Sequence, residues 1–422
     1  MYHKTVLKNG IRVVSENIPH IKSFSIGIWI TNGSRDEGSE ENGISHFIEH
    51  LIFKGTESRT AHDIAKEIDS VGGILNGFTE REYTCFHAKV LDQHWALAIE
   101  LLSDIFLNSV FDLNEIARER NVVLQEIKMV EDTPDDYIHD LFNEVFWEGH
   151  SLGYPILGKK ELVNSFERES ICRYFEDHYR ANQLVISVAG SFDHEKLIQR
   201  IEDAFGGLEE KVEVGRGTSP EPNPTMSFFS RDLEQVHLCL GTKGISQAHS
   251  MRFAGYVLNT LLGRGMSSYL FQEIREKRGL AYSIYSYRPA YFDVGQLVVY
   301  AGTEKGSSKE VIRLIMEQLD RLRKERVRGE ELQRAKDQLK GNLLLSLESS
   351  DSWMTRLAQN EIYFGEHISV EEVIQGIEEV TSDQVNQLAQ DLFREEFLCL
   401  VVLGPMDKRE LPRDLLSFQQ GG

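Results

Sequence analysis

Residues 178–205 read HYRANQLVISVAGSFDHEKLIQRIEDAF. A β-branched run, a glycine turn and an amphipathic stretch describe a strand followed by a helix. The same order returns near the C-terminus, in LFREEFLCLVVLGPMDKREL at 392–411. The openings of the two halves match as well. SHFIEHLIFKGTESR (45–59) stands where YVLNTLLGRGMSSYLFQEI (256–274) stands, each preceded by a strand-like run, IKSFSIGIWITN (21–32) and QVHLCLGTKG (235–244). A duplicated domain is the simplest account. Between the halves, EEKVEVGRGTSPEPNPTMSFFS (209–230) holds Pro220, Pro222 and Pro224, the composition of an extended, semi-rigid linker. The expected organisation is therefore a first domain at 1–213, a linker at 214–225 and a second domain at 226–422.

Within one half the patterning predicts two long strands, about 4–15 and 22–31, then a helix carrying HFIEH and another through HDIAKEIDSVGG. A strand pair follows (ILNGFTE and YTCFHAKV), then helices near 92–108, 114–131 and 136–147, and finally a helix and the terminal strand and helix. Strands cluster and helices cluster, which predicts an α+β fold in which each domain is a largely antiparallel sheet with helices packed on one face.

At 422 residues the chain exceeds what one hydrophobic core usually supports, in keeping with two domains. Hydrophobic residues make up 41% and charged residues 27%, an ordinary globular balance. The N-terminus shows no apolar leader and no basic amphipathic presequence, and no apolar run is long enough to span a bilayer, so the expected location is cytoplasmic, without a membrane partner. The formal charge of -21 argues against a nucleic-acid partner, because phosphate binding needs a basic surface. Cys85, Cys172, Cys239 and Cys399 lie far apart without CxxC spacing, which suits reduced thiols and leaves any metal site to His and carboxylate ligands.

HFIEH, residues 46–50, carries the chemistry. On a helix, Ile44, Phe47, Ile48 and Leu51 form the buried stripe, and His46 and His50, at i and i+4, project together with Glu49 beside them. Two such imidazoles can bind one zinc, and a neighbouring carboxylate is placed to take a proton from water. This is the H-x-x-E-H order, the reverse of H-E-x-x-H. A third ligand is offered by NEIARERNVVLQEIKMVED (114–132), where Glu119 and Glu126 share a helix face beside Ile116, Val123 and Ile127. Two carboxylates half-buried together are costly without a cation, which a metal would supply; taken alone, this helix reads first as carrying a solvated i, i+7 pair.

With these motifs in place the chain resembles the M16 (pitrilysin, or inverzincin) family of zinc peptidases, particularly its short bacterial processing proteases and the β subunit of the mitochondrial processing peptidase. The resemblance covers nearly the whole chain, through HFIEH, the glutamate of ERNVVLQEI, GGILNGFTEREYT, LGYPILG and QLVISVAG. It implies one Zn2+ per chain held by His46, His50 and Glu126, with Glu49 as general base and Glu119 supporting the site. It implies that Gly72, Gly73, Asn76, Gly77 and Thr79 belong to an edge strand on which the substrate backbone lies, with Gly77 where alanine is usual. LFQEIREKRGLAYSIYS (270–286) resembles the family's distal motif, which assigns Arg275 and Tyr282 to the substrate and the developing oxyanion. VLNTLLGRG in the second half has no ligands.

The activity implied is zinc-dependent endoproteolysis of peptides or unfolded segments within an enclosed chamber, which two chains of this length close as a homodimer. Asp136 and Asp140, at i and i+4, match acidic residues that bind an arginine beside the cut in the processing-peptidase β subunit, implying a preference for basic residues there. The alternative is a non-catalytic scaffold or peptide-binding subunit of the same family, whose members typically have degraded ligands.

Overall fold

The computed structural model describes residues 1–210 and 218–418; of the expected linker, 214–217 lie outside the described residues and 218–225 carry no regular structure. The chain forms two compact units, and each is assembled from three segments. The first comprises Met1–Met129, Tyr154–Gly217 and Ser346–His367; the second comprises Val130–Gly153, Thr218–Leu345 and Ile368–Gly422.

In the first unit the strands are β1 (Tyr2–Val6), β2 (Arg12–Asn17), β3 (Ser23–Ile30), β4 (Ile74–Thr79), β5 (Thr84–Leu91) and β6 (Leu184–Gly190). They form one sheet in the order β1-β2-β6-β3-β5-β4, with β2 and β6 parallel and the other pairs antiparallel. The strand expected at 4–15 is thus a hairpin. It turns at Leu7–Ile11, where Gly10 N–H donates to Leu7 O at 3.0 Å and Leu7 N–H to Ile11 O at 2.9 Å.

The helices of the first half are α1 (Ile44–Ile52), α2 (Ala61–Ser70), α3 (Trp95–Leu107), α4 (Leu113–Asp132), α5 (Pro134–Phe146), α6 (Lys160–Ser165), α7 (Arg168–His178) and α8 (His194–Phe205). Side chains alternate across the sheet, so Ile28, Ile30, Phe86, Ala88 and Ile186 meet Phe47, Ile48, Leu102, Ile105 and Ile201 in the main core.

The second unit repeats this plan. Strands β7 (Met226–Ser230), β8 (Val236–Gly244), β9 (Ala281–Tyr287), β10 (Gly295–Thr303) and β11 (Cys399–Gly404) run in the order β7-β11-β8-β10-β9. With β1 set aside, the two sheets have the same order, and each has its one parallel pair in the same place, β2 with β6 and β7 with β11. Helices α9 (Arg252–Gly263), α10 (Ser308–Lys324), α11 (Gly329–Ser346), α12 (Ser350–Phe364), α13 (Val370–Glu378) and α14 (Ser382–Leu392) complete the chain.

The opposite face of each sheet is also covered, by a helix from the other half of the sequence. α12 lays Met354, Leu357 and Ala358 on Val14, Trp29, Cys85 and Val185 of the first sheet. α5 lays Ile138, Leu141, Phe142 and Phe146 on Cys239, Val298, Tyr300 and Val401 of the second. A cut at 214–225 alone therefore divides the chain differently from its compact units, since 130–153 belongs with the second and 346–367 with the first.

Candidate metal centre

α1 begins at Gly43, whose φ of +95° suits glycine, and whose missing side chain lets the backbone of Gly158 approach to 2.6 Å from the position a Cβ would take. The start of the helix is held by a buried carboxylate. Glu37 accepts from Gly43 N–H at 2.8 Å, Ser45 N–H at 2.9 Å and Asn42 Nδ2 at 3.2 Å, satisfying donors that an α-helix leaves free at its first turn. Burial pushes the Glu37 carboxyl up to about 7 against these hydrogen bonds. His46, the next residue after Ser45, is thus set by a helix end that is itself pinned.

Ile44, Phe47, Ile48 and Leu51 are buried as the spacing predicts, and His46 is buried too, at 6% exposure. The rings of His46 and His50 lie 4.7 Å apart. α4 buries Ile116, Glu119, Val123 and Ile127 and leaves Glu126 half-buried. Its Oε2 lies 3.7 Å from His46 Nε2 and 3.5 Å from His50 Nε2. A tetrahedral zinc with bonds of about 2.0–2.1 Å places its ligand atoms roughly 3.3 Å apart, so this donor set fits the ion. Among the described residues it is the one group of three His, Cys, Asp or Glu whose ligand atoms all lie within 4.8 Å of one another.

Burial and charge together move the two imidazoles in opposite directions. Burial, then the neighbouring His50, pushes His46 down to about 4, which leaves the imidazole neutral at ordinary pH with a lone pair to give. Burial lowers His50 as well, but hydrogen bonds to Glu126 and Glu119 outweigh it and raise the group; the His50 contact in turn lowers Glu126. Glu119 Oε2 takes His50 Nδ1 at 3.1 Å, and its Oε1 takes Lys54 Nζ at 2.9 Å. Glu119 therefore orients one of the two converging rings and is itself fixed from behind by a cation. Glu49 projects beside the pair; burial raises its carboxyl, and the hydroxyl of Thr79, 2.7 Å from Oε2, opposes the rise.

Comparison with known proteins bears on the whole chain. Residues 12–160 match the model of Insulinase (Peptidase family M16), and residues 165–339 match Peptidase M16 inactive domain. An uncharacterized zinc protease of Bacillus subtilis, YmxG, is 44% identical over 405 residues, covering 96% of this chain and 98% of the relative. The chain belongs to peptidase family M16. An uncharacterized zinc protease of Mycobacterium leprae is 40% identical over 421 residues, covering 98% of this chain and 94% of its own. Among solved structures, a protease from Helicobacter pylori superposes with a TM-score of 0.88 at 22% identity, covering 96% of this chain and 99% of that one, a likeness of fold.

The other residues that the resemblance singles out lie in four places. Gly72, at φ +64°, and Gly73 close α2, with N–H groups donating to Asp69 O and Ile68 O at 3.0 Å each, so they set where β4 starts and precede the strand itself. Asn76 is exposed on β4, the edge of the sheet, where its Oδ1 accepts from Gly77 N–H at 2.9 Å. In the second unit, Arg275 lies on a π-helical turn, Phe271–Glu276, with its guanidinium 5.0 Å from the ring centre of Tyr282. Tyr282 is 79% exposed on β9, the edge strand equivalent to β4. Asp136 and Asp140 share a face of α5 in that unit, Asp136 exposed and Asp140 partly buried. Sequence reading did not single out Lys54 or Glu37; the one available signal for Lys54 was its place four residues after His50.

Proposed function

We propose that this M16 chain is a zinc-dependent endopeptidase, with His46, His50 and Glu126 as ligands of one Zn2+ and Glu49 as general base. The convergence of both Nε2 atoms on Glu126 Oε2, at 3.7 and 3.5 Å, carries this reading, and the names of its relatives support it. Zinc, when bound, supplies a Lewis acid for the scissile carbonyl. Glu49 takes the proton of the attacking water and returns it to the leaving amine. A scaffold subunit would have no use for a buried carboxylate beside an intact ligand set. The free cysteines suit a cytoplasmic protein, and among the described residues no helix is long and apolar enough to cross a membrane.

The finer reading is that peptides or unfolded segments pair with the edge of β4 inside a chamber closed by a homodimer, with Arg275 and Tyr282 of one chain serving the zinc of its partner. A Glu49→Gln chain mixed with a Tyr282→Phe chain then regains activity. Random exchange yields about one quarter of the wild-type rate, because half the dimers are mixed and each has one unharmed site of two. No recovery in a preparation shown to contain mixed dimers rejects the sharing.

Cleavage of a peptide library by the purified chain tests the activity and its preference together. Asp136 is exposed on α5, which leaves its carboxylate able to grip a guanidinium. Cuts are expected beside Arg or Lys, and the Asp136→Asn, Asp140→Asn double variant should lose that preference while still cleaving. A profile indifferent to basic residues removes the subsite and leaves the zinc reading intact.

A further inference from the structure

β4 holds the general base as well as offering its edge. Along this strand Leu75, Gly77 and Thr79 point to the side on which α1 packs, whereas the exposed Ile74 and Asn76 point to the other. A Cβ on Gly77 would lie 3.0 Å from Glu49 Cγ and 3.2 Å from Phe53 Cε2, so the backbone of the strand sits directly against the stem of the glutamate. Two residues on, Thr79 Oγ1 donates to Glu49 Oε2 at 2.7 Å. An ionised carboxylate is acceptor-only, so the hydroxyl is the donor. Among the described residues Oε1 of Glu49 takes no hydrogen bond.

We propose that Thr79 is a positioning residue for the general base: its hydroxyl ties down Oε2 of Glu49 and leaves Oε1 as the oxygen that receives the proton. The inference rests on Glu49 acting as base. It separates two jobs that the resemblance assigns to one strand. A docked peptide would use the in-plane N–H and C=O groups of β4, whereas the Thr79 side chain stands perpendicular to the sheet and is already spent on Glu49. The bland reading makes Thr79 a β-branched strand residue whose methyl packs and whose hydroxyl is incidental; valine would then serve as well.

Thr79→Val keeps shape and strand preference and removes only the donor. A hydrogen bond to a charged group is at stake, so kcat is expected to fall about 10- to 100-fold with KM and zinc content unchanged. Thr79→Ser, which restores the donor, should recover most of the rate. Peptide affinity, measured by calorimetry in a Glu49→Gln background where nothing is cleaved, should be the same with Thr or Val at 79. A raised KM, or weaker peptide binding in that background, would overturn the proposal in favour of a substrate contact. An unimpaired Thr79→Val chain beside an active wild type would overturn it in favour of the bland reading. A wild-type chain inert toward every peptide would remove the base reading, and the inference with it.

Discussion

Glu49→Gln is expected to abolish hydrolysis and to leave zinc bound at the wild-type level. The amide matches the carboxylate in shape but cannot take a proton, and general-base assistance is worth about 10²–10⁴-fold in rate. Zinc stays because Glu49 is no ligand: the three converging donors are on His46, His50 and Glu126. The pH profile of the wild type follows from the same environment. Burial raises the Glu49 carboxyl and Glu126 adds to the rise, while Thr79 and His50 lower it and a bound zinc would lower it further. The base must be ionised to work, so activity should fall on the acid side as Glu49 takes up its proton. Steady-state turnover across pH, with metal content measured on the same samples, checks both statements. Retained hydrolysis in the variant would reassign the base.

Those parts of the site that follow local periodicity were legible in the sequence. The i, i+4 histidines, the i, i+7 glutamates and the apolar stripe between them all stand on the helices expected, because a helix face depends only on spacing. Contacts between elements were not legible in this way. Lys54 reaches Glu119, Thr79 reaches Glu49, and Glu37 reaches back over the start of α1; each pairing depends on how separate elements pack. The exchanged helices show the same limit at larger scale. α5 and α12 are each amphipathic, and periodicity says that one face is buried without saying against which sheet. α5 places Phe142 over Gly241, where a Cβ would lie 2.3 Å from the ring. The missed hairpin is different in kind, since Asn9-Gly10 is a turn signal that outweighs the alternation running through it.

Loss of a ligand should be felt in metal affinity and in stability as well as in rate. His46→Ala, His50→Ala and Glu126→Gln each leave two donors where three converge, whereas Glu119→Gln keeps all three and loosens only the His50 ring that Glu119 holds at 3.1 Å. Outer-shell changes of this kind cost about 10–100-fold in metal affinity, and the three ligand variants should exceed that in a competition with a chelator. The same site would link zinc to folding, because α1 and α4 meet there and an unfolded chain cannot present the three donors together. Zinc at 100 times its Kd stabilises the native state by about 2.7 kcal/mol, which for a unit of this size raises Tm by roughly 5–10 °C. Wild type stripped of metal and then titrated with zinc should show that rise. His50→Ala should not, and Glu119→Gln should need more zinc to reach it. A Tm indifferent to zinc in the wild type, or full metal content in any ligand variant, would show that the ion is held elsewhere, and the pairing of His46, His50 and Glu126 would then need another explanation for burying a histidine as deeply as His46.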